Sequence, residues 1–465
     1  MARPAATNAF DWPLFSLYLA LLAIGWGMLY SVGYGDGYGL SLSDFLLTTQ
    51  VGKQTIWIGA SLVALFFVYL IDVTFWRTLA YPIYGITLVL LVGVLVFGNE
   101  IKGATSWFRV AGFTFQPSEL AKFGTALAVA SFLSQYSTDL RQLRDQLVCF
   151  GMLLVPMGLI LLQPDAGSAL IFSAFLLPFY REGFPGGFFV VAFLLAGLLI
   201  LGFRFDPLWV VAVLGLIGSC VFARHLPRAN YWLLGLTLLG VVSFLLASTY
   251  LPWVVAASTL LFLGLAVYHF FGRQNRLATL LGAGFLAGAL LVFAASWSFD
   301  NLLKSHQQDR INVWLNPSKC DPQGSLYNVL QSKMAIGSGR LMGKGYLAGN
   351  LTKGNYVPEQ STDFIFCTIG EEHGFVGSLS IIALFSLLLF RITQLAERQR
   401  TPFARAFAYG VAGIFFVHFL INIGMTMGLM PVIGVPLPFI SKGGSAMLGF
   451  TLLIGVLLKL DTQRR

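Results

Sequence analysis

Long apolar blocks that carry almost no charge recur along this chain, and they constrain its fold more than any other feature. Each block runs for roughly 16 to 24 residues, which is the length an α-helix needs to cross about 30 Å of hydrocarbon. Overall, 57% of the residues are hydrophobic and only 11% are charged, whereas soluble domains carry about a quarter of their residues as charges. The sequence therefore predicts an all-α polytopic transmembrane protein.

Charged residues and glycine- or proline-rich stretches divide the chain into about 14 predicted transmembrane helices. The predicted helices cover residues 14–31, 54–71, 78–97, 117–135, 147–163, 167–180, 187–203, 208–223, 230–247, 251–271, 277–298, 362–390, 405–429 and 442–460. The block at 167–180 is short, so it would have to be tilted or extended at its ends to cross the bilayer. The largest polar segment, from about residue 300 to 361, is predicted to be a loop.

Basic residues are concentrated in alternate connectors, which predicts that both termini lie in the cytoplasm. Those connectors and the C-terminal segment hold Arg77, Arg141, Arg144, Arg181, Arg224, Arg228, Arg273, Arg276, Arg391, Arg398, Arg400, Arg405, Lys459, Arg464 and Arg465. Short outer connectors, such as Ser248–Pro252, are nearly free of Lys and Arg. The net charge of +9 is therefore typical of membrane orientation, and no nucleic-acid partner is predicted.

Two outer segments break this charge pattern, and we expect the chemistry there. The first is Asn99–Gln116, which contains Lys102 and Arg109; the second is the loop at 300–361. The basic residues of the loop are Lys304, Arg310, Lys319, Lys333, Arg340, Lys344 and Lys353. Long loops are exempt from the charge rule, but they are commonly functional.

Glu119 and Lys122 begin the fourth apolar block, in QPSELAKF, and their spacing places them on one helix face where they can pair. They could form a neutralised structural ion pair, or they could line a polar cavity that opens outward, since ionisable groups in membrane segments are commonly functional. Pro117 suits the first turn of this helix. In QPDAGSAL, Asp165 is interpreted as the cap of the next helix.

The long loop contains an acidic residue, a short helix and a glycine-rich stretch. Asp321 precedes Pro322 and is either a turn residue or a general base. An amphipathic helix is predicted at Tyr327–Met334, followed by IGSGRLMGKGYLAGN, whose backbone amides and cations could approach phosphate oxygens. No P-loop spacing is present. The cysteines show no metal-ligand spacing, and no metal site is predicted from them.

A proline-rich stretch near the end of the chain, MPVIGVPLPFISKGGSAM, cannot form a plain helix because three prolines and the pair Gly443–Gly444 interrupt it. Irregular backbone at membrane depth must be buried in protein or line a wet cavity. The stretch is therefore predicted to be an outer re-entrant or interfacial segment.

Taken together, these motifs resemble the SEDS family (shape, elongation, division and sporulation), and the run around Lys344 is closer to its RodA branch than to its FtsW branch. The matching stretches, which follow the family's order, are GATSWFRVAGFTFQPSELAKF (103–123), QPDAGSALI (163–171), DPQGSLYNVLQSKMAIGSGRLMGKG (321–345), VPEQSTDFIFCTIGEEHGFVGS (357–378) and MPVIGVPLPFISKGGS (430–445).

This resemblance implies a peptidoglycan glycosyltransferase that polymerises lipid II into glycan strands at the outer face of the cytoplasmic membrane, for cell elongation. It also implies a transpeptidase partner of the class B penicillin-binding type. The family's essential loop acid matches Asp321, and its fourth-helix pair matches Glu119 and Lys122. Glycosyl transfer needs a base for the acceptor hydroxyl and stabilisation of the departing diphosphate.

On this hypothesis Asp321 is the catalytic base, and a single base predicts inversion at the sugar carbon. Glu119 would orient Lys122, and cations would neutralise the diphosphate, with a divalent ion such as Mg²⁺ as a further candidate. The expected substrate-binding residues are Glu119, Lys122, Arg109, Lys333, Arg340, Lys344 and Ser445.

The chain departs from the family's pattern in three respects. Ser361 replaces a common His, Lys442 replaces a common Tyr, and about four helices exceed the usual ten. We therefore divide the chain into an N-terminal core at 1–180, extra helices at 181–299, a large outer loop at 300–361 and a C-terminal core at 362–465. Two other functions stay open: a flippase for polyprenyl-linked sugars, and a non-catalytic scaffold for the transpeptidase.

Overall fold

The computed structural model describes residues 10–34, 41–101, 103–110, 113–226, 229–271, 275–303, 305–324, 326–354 and 356–463. The chain separates into two compact units, Met1–Pro185 with Asp321–Arg465 and Gly186–Cys320. Within the described residues, ten helices are long and apolar enough to cross a membrane. The prediction of a multi-pass α-helical membrane protein is therefore confirmed.

The first unit contains most of the helices. They are α1 (Trp12–Val32), α2 (Leu42–Thr48), α3 (Gln50–Leu70), α4 (Val73–Thr78), α5 (Ala80–Phe97), α6 (Pro117–Leu133), α7 (Leu143–Leu161), α8 (Ala166–Ile171) and α9 (Leu176–Arg181). After the second unit the chain returns with α15 (Tyr327–Ser338), α16 (Asn350–Lys353), α17 (Ile365–Arg398), α18 (Pro402–Thr426) and α19 (Gly444–Thr462). Helices α18 and α19 are the most buried of the long apolar helices, and both pack against α6.

The outer segment between α5 and α6 forms a small antiparallel sheet, which the sequence analysis did not predict. Its strands are β1 (Asn99–Ile101), β2 (Ala104–Val110) and β3 (Phe113–Phe115), in the order β1-β2-β3. Arg109 pairs with Thr114 across β2 and β3. The sheet is a short hairpin extension that leads directly into Pro117, the first residue of α6.

The second unit comprises α10 (Gly186–Arg204), α11 (Pro207–Ala223), α12 (Ala229–Phe271), α13 (Asn275–Asn301) and α14 (Ser305–Leu315). The structure assigns the predicted connector at Ser248–Pro252 to a single helical element, α12, with Pro252 inside it. No charged residue interrupts the apolar sequence there. A proline inside a helix commonly kinks or breaks it, so Pro252 allows a change of direction within α12.

About half of the segment predicted as a loop at 300–361 is helical. It contains α14, a 3₁₀ turn at Pro317–Lys319, α15 and α16. The amphipathic helix predicted at Tyr327–Met334 is confirmed as α15. The predicted block at 167–180 is shorter and less regular than a standard span, because a 3₁₀ turn at Phe172–Phe175 separates α8 from α9.

Charged side chains tie the two ends of the first unit together. Asp11, which caps α1, accepts hydrogen bonds from Arg391 (2.6 Å) and Arg398 (2.6 Å) near the end of α17. Arg398 also pairs with Asp461 at the end of α19. Burial raises the pKa of Asp11, but hydrogen bonds from Arg391, the Leu14 N–H and Arg398 together outweigh burial and lower it. The start of α1 and the end of α19 therefore lie on the same side of the first unit.

Candidate active site

The proline-rich segment between α18 and α19 contacts most of the other parts of the candidate site. It is irregular from Met430 to Gly443, as predicted. Asn422 of α18 donates to Val435 O (2.7 Å) and Asp363 O (2.9 Å). Ser441 donates to Thr362 O at 2.5 Å. The segment is thereby fixed to the 361–363 stretch that precedes α17.

The N-terminus of α6 meets the first turn of α19, which directly follows this segment. The Gln116 N–H donates to Ser445 Oγ (3.2 Å), and its side-chain amide donates to Asp165 Oδ2 (2.8 Å) and Ser168 Oγ (3.3 Å). Asp165 Oδ1 accepts from the Ser168 N–H (3.0 Å) and caps α8, which confirms its predicted role. These hydrogen bonds link four of the five motif stretches, and the fifth, 321–345, joins them through the Lys344–Glu371 ion pair.

Glu119 and Lys122 form the predicted ion pair within this junction. The Lys122 ammonium donates to Glu119 Oε1 at 2.9 Å and lies 2.8 Å from Oε2. The side chains are 3% and 2% exposed, so the pair is dry. A buried charge is tolerated only when it is paired and hydrogen-bonded. The pairing is observed, and it fits both interpretations that the sequence left open.

His418 of α18 completes the surroundings of Lys122, and the sequence analysis missed it. Its Nε2 lies 2.8 Å from Lys122 Nζ, and its Nδ1 lies 3.1 Å from Pro436 O. The ring is 1% exposed and contacts Phe450 edge-on at 4.8 Å. An ionisable residue in the apolar stretch FFVHFLINIG was the available signal.

Asp321 is the first residue of the 321–345 motif stretch and is solvent-exposed. Its Oδ1 accepts from the Gln323 N–H at 3.0 Å, as expected for an acidic residue in a turn. Among the residues that the structure describes, no hydrogen bond or ion pair joins Asp321 to Glu119 or Lys122. Its catalytic role therefore stays a prediction.

The remaining predicted cations lie on the loop and on the sheet. Lys333 on α15 has its ammonium against the backbone of Gly428, just beyond α18. Arg340 has a positive φ of 49° and an exposed side chain, and its carbonyl accepts from the Phe375 N–H at 2.9 Å. Arg109 is exposed on β2. These three side chains are open to solvent, whereas Lys122 is not.

Lys344 is committed to an ion pair. Its ammonium lies 2.6 Å from Glu371 Oε1. The Glu371 carboxylate, which is fully buried, also accepts from the N–H groups of Leu351 and Thr352 and from the Thr352 hydroxyl. Four donors on one carboxylate fix the glycine-rich stretch to α17.

Gly374 allows the same stretch to approach α17. It kinks the helix with a φ of 63°, and a Cβ there would lie 2.3 Å from Gly343 N. Only glycine accommodates both the conformation and the approach.

Comparison with known proteins identifies the family. The chain matches the cell cycle protein model of FtsW, RodA and SpoVE over residues 12–212 and 233–465. It is 31% identical to peptidoglycan glycosyltransferase RodA of Treponema pallidum (strain Nichols) over 99% of this chain and 100% of that protein. It is 30% identical to peptidoglycan glycosyltransferase MrdB of Escherichia coli (strain K12) over 82% of this chain and 78% of that protein.

Solved structures agree with the fold. A chain of a peptidoglycan synthase complex that coordinates polymerization and crosslinking aligns with a TM-score of 0.63 at 23% identity. The rod shape determining protein RodA of Thermus thermophilus aligns with a TM-score of 0.53 at 25% identity. Both alignments cover 98% of each chain. The relatives RodA and MrdB are both named peptidoglycan glycosyltransferases. The chain therefore belongs to the SEDS family of FtsW, RodA and SpoVE and lies close to its RodA members.

Proposed function

We propose that this protein polymerises lipid II into glycan strands at the outer face of the cytoplasmic membrane, for cell elongation. The observation that carries the proposal is the buried Glu119–Lys122 pair, which lies where the motif segments of a glycosyltransferase family meet. A cation fixed in a dry site is suited to stabilise the negative charge that develops on a departing diphosphate.

Asp321 is the proposed base. Its carboxylate would take the proton from the acceptor's 4-hydroxyl as that oxygen attacks the donor sugar's anomeric carbon, and the bond to the lipid diphosphate would break. Attack from the opposite face inverts the anomeric carbon. The exposure of Asp321 supports this role, because a large lipid-linked substrate can reach the carboxylate.

Cations around the site would hold the diphosphate. Lys122 is held by Glu119, whereas the side chains of Lys333, Arg340 and Arg109 are exposed at the surface. Lys344 would contribute only if the substrate competes with Glu371 for its ammonium. Ser445 would act by positioning the start of α6 through the Gln116 N–H.

A divalent cation would have to share its ligands with the substrate. Within the described residues, no group of three or more His, Cys, Asp or Glu side chains could hold a metal ion. Magnesium is commonly bound by one or two carboxylates together with phosphate oxygens. The exposed carboxylate of Asp321 would be one such ligand.

We propose 14 membrane crossings, with α12 providing two of them. Gly215 and Leu216 are neighbours on α11, yet a Cβ on Gly215 would lie 3.2 Å from Ser258 O, and a Leu216 methyl is 3.9 Å from the Cβ position of Gly240. In a straight helix, residues 240 and 258 would be about 27 Å apart. Both contacts together support a reversal within α12. The four extra helices are an even number, so they leave the 300–361 segment on the outer side.

The termini are proposed to lie in the cytoplasm. The Asp11–Arg398–Asp461 network supports this orientation, because it brings the start of α1 and the end of α19 to the side that carries Arg391 and Arg398. We also propose that residues 181–299 are a helical addition to the two core segments. A class B penicillin-binding transpeptidase is the proposed partner, in line with the related synthase complex that couples polymerization and crosslinking.

The proposal is tested by glycan polymerisation from purified lipid II, using the detergent-solubilised protein with its cognate transpeptidase. Wild type should form strands, and Asp321→Asn should reduce the rate at least about 100-fold while leaving folding unchanged, because the side chain is exposed. An Asp309→Asn variant, which changes another acidic residue of the 300–361 segment, is the matched control. Polymerisation by Asp321→Asn at the wild-type rate would remove Asp321 as the base.

The flippase remains the second candidate, because buried charges within a helical bundle also suit transport. If wild type forms no strands but moves lipid II across vesicle membranes, that function replaces the polymerase.

A further inference from the structure

His418 holds a position that the proposed chemistry has not yet used. Helices α6, α18 and α19 meet around the Lys122 ammonium, which contacts Glu119 from α6, His418 from α18 and the Phe450 ring of α19 at 5.3 Å. Glu119 and Lys122 share one helix, so their pairing alone does not fix α6 against its neighbours. His418 provides the polar contact with Lys122 from another helix.

The hydrogen-bond partners of His418 determine its tautomer. A backbone carbonyl can only accept, so Nδ1 must carry the proton that is donated to Pro436 O. Nε2 of the neutral ring then presents a lone pair, and it accepts from the Lys122 ammonium at 2.8 Å. A doubly protonated ring would place an N–H and a second positive charge against that ammonium.

This arrangement connects Lys122 to the proline-rich segment. Pro436 belongs to the 430–443 stretch, which Asn422 and Ser441 fasten to Asp363 and Thr362. The imidazole therefore bridges the buried cation and the segment that lines the motif junction. A neutral acceptor suits this position, because it holds the ammonium from a second helix without cancelling the positive charge that the substrate requires.

We infer that His418 is a positioning residue for glycosyl transfer, which holds the Lys122 ammonium at the place where the diphosphate of the lipid-linked sugar is bound. The inference rests on the proposed function. His418 acts through Lys122 and does not itself touch the reacting atoms.

Three substitutions at His418 distinguish the effect of the Nε2 acceptor from the effect of the aromatic ring. His418→Phe keeps an aromatic ring against Phe450 but removes both hydrogen bonds. His418→Asn keeps a donor that can reach Pro436 O but has no acceptor near Lys122. His418→Gln carries an amide oxygen that can replace Nε2 as the acceptor. Each variant is assayed with the cognate transpeptidase for polymerisation of lipid II, with kcat and KM determined separately.

We expect His418→Phe and His418→Asn to lower kcat about 10- to 100-fold with KM changed by less than about threefold, because the lost interaction orients a group that acts in the transition state. His418→Gln should stay within about fivefold of wild type. His269→Phe is the matched control: His269 is also buried, and its Nε2 bonds Phe222 O, but it belongs to the second unit.

A purely structural role would lower the thermal midpoint in all three variants and leave kcat unchanged below that midpoint. That outcome, or a loss with Gln as large as with Phe, would overturn the inference. If His418→Phe fails to fold, the comparison of Asn with Gln decides, since both are polar amides. Absence of strands from wild type would instead refute the proposed function, while active wild type with fully active variants would refute only the role of His418.

Discussion

Two lysine–glutamate pairs of this protein have different surroundings. Lys122 and Glu119 are both enclosed, at 2% and 3% side-chain exposure, and a second helix supplies an acceptor to the lysine. Lys344 is 27% exposed, and its partner Glu371 is fully buried with three further donors. In the first pair the cation depends on its acceptors, whereas in the second the carboxylate is satisfied even without the lysine. The Glu119–Lys122 pair is therefore suited to a role in catalysis, and the Lys344–Glu371 pair is suited to fixing the glycine-rich stretch to α17.

The comparison predicts the largest effect at Glu119. Glu119→Ala leaves the Lys122 ammonium buried with His418 as its remaining polar partner. Breaking a buried pair by removing one member destabilises proteins by about 3–5 kcal/mol. We expect a loss of this size in the free energy of unfolding, measured as a fall in the denaturation midpoint of the solubilised protein, together with loss of polymerisation.

Glu119→Asp is the matched control for that change, since it keeps the charge and should recover part of the stability. A Glu119→Ala protein as stable as wild type would mean that the ammonium is hydrated, and the contrast between the two pairs would disappear.

Substitutions in the Lys344–Glu371 pair should lower the free energy of unfolding less than Glu119→Ala does. Lys344→Met removes one of four donors to Glu371, so we expect a loss of about 1–2 kcal/mol in the free energy of unfolding. Glu371→Gln should be more harmful than Lys344→Met, because it weakens all the hydrogen bonds that fasten residues 351 and 352. Protection of the glycine-rich stretch from proteolysis measures both changes. Equal effects of the two substitutions would contradict the assignment of the carboxylate as the anchor.

Removal of the Asp11 charge should have the smallest effect on stability, and that effect should depend on pH. The folded-state pKa of Asp11 is below its ordinary value, so its contribution to stability is present above the unfolded-state pKa and is lost as pH falls through the folded-state value. We expect Asp11→Asn to be less stable than wild type at neutral pH, with the difference narrowing in acid. Thermal midpoints at several pH values test this, and a difference that widens in acid would contradict the sign.

The sequence determined those features that depend on local pattern. The apolar blocks placed the long helices, and Pro117, Asp165 and the helix at 327–334 followed from capping and periodicity. The sheet at 99–115 was missed because its strands are short, and α14 was missed because SHQQDRINVWL reads as a polar loop. His418 was missed because its partner Lys122 is 296 residues away in sequence. Contacts of that range depend on packing, which a single sequence does not reveal.

The central claim is that the Glu119–Lys122 pair takes part in glycosyl transfer and is not only a neutralised contact within the bundle. The most direct test is the double variant Glu119→Gln/Lys122→Met, since replacing both members of a buried pair with neutral groups of similar volume commonly preserves stability. We predict a thermal midpoint close to that of wild type and a polymerisation rate from lipid II at least about 100-fold lower. A folded double variant that polymerises lipid II at the wild-type rate would contradict the claim and make the pair structural.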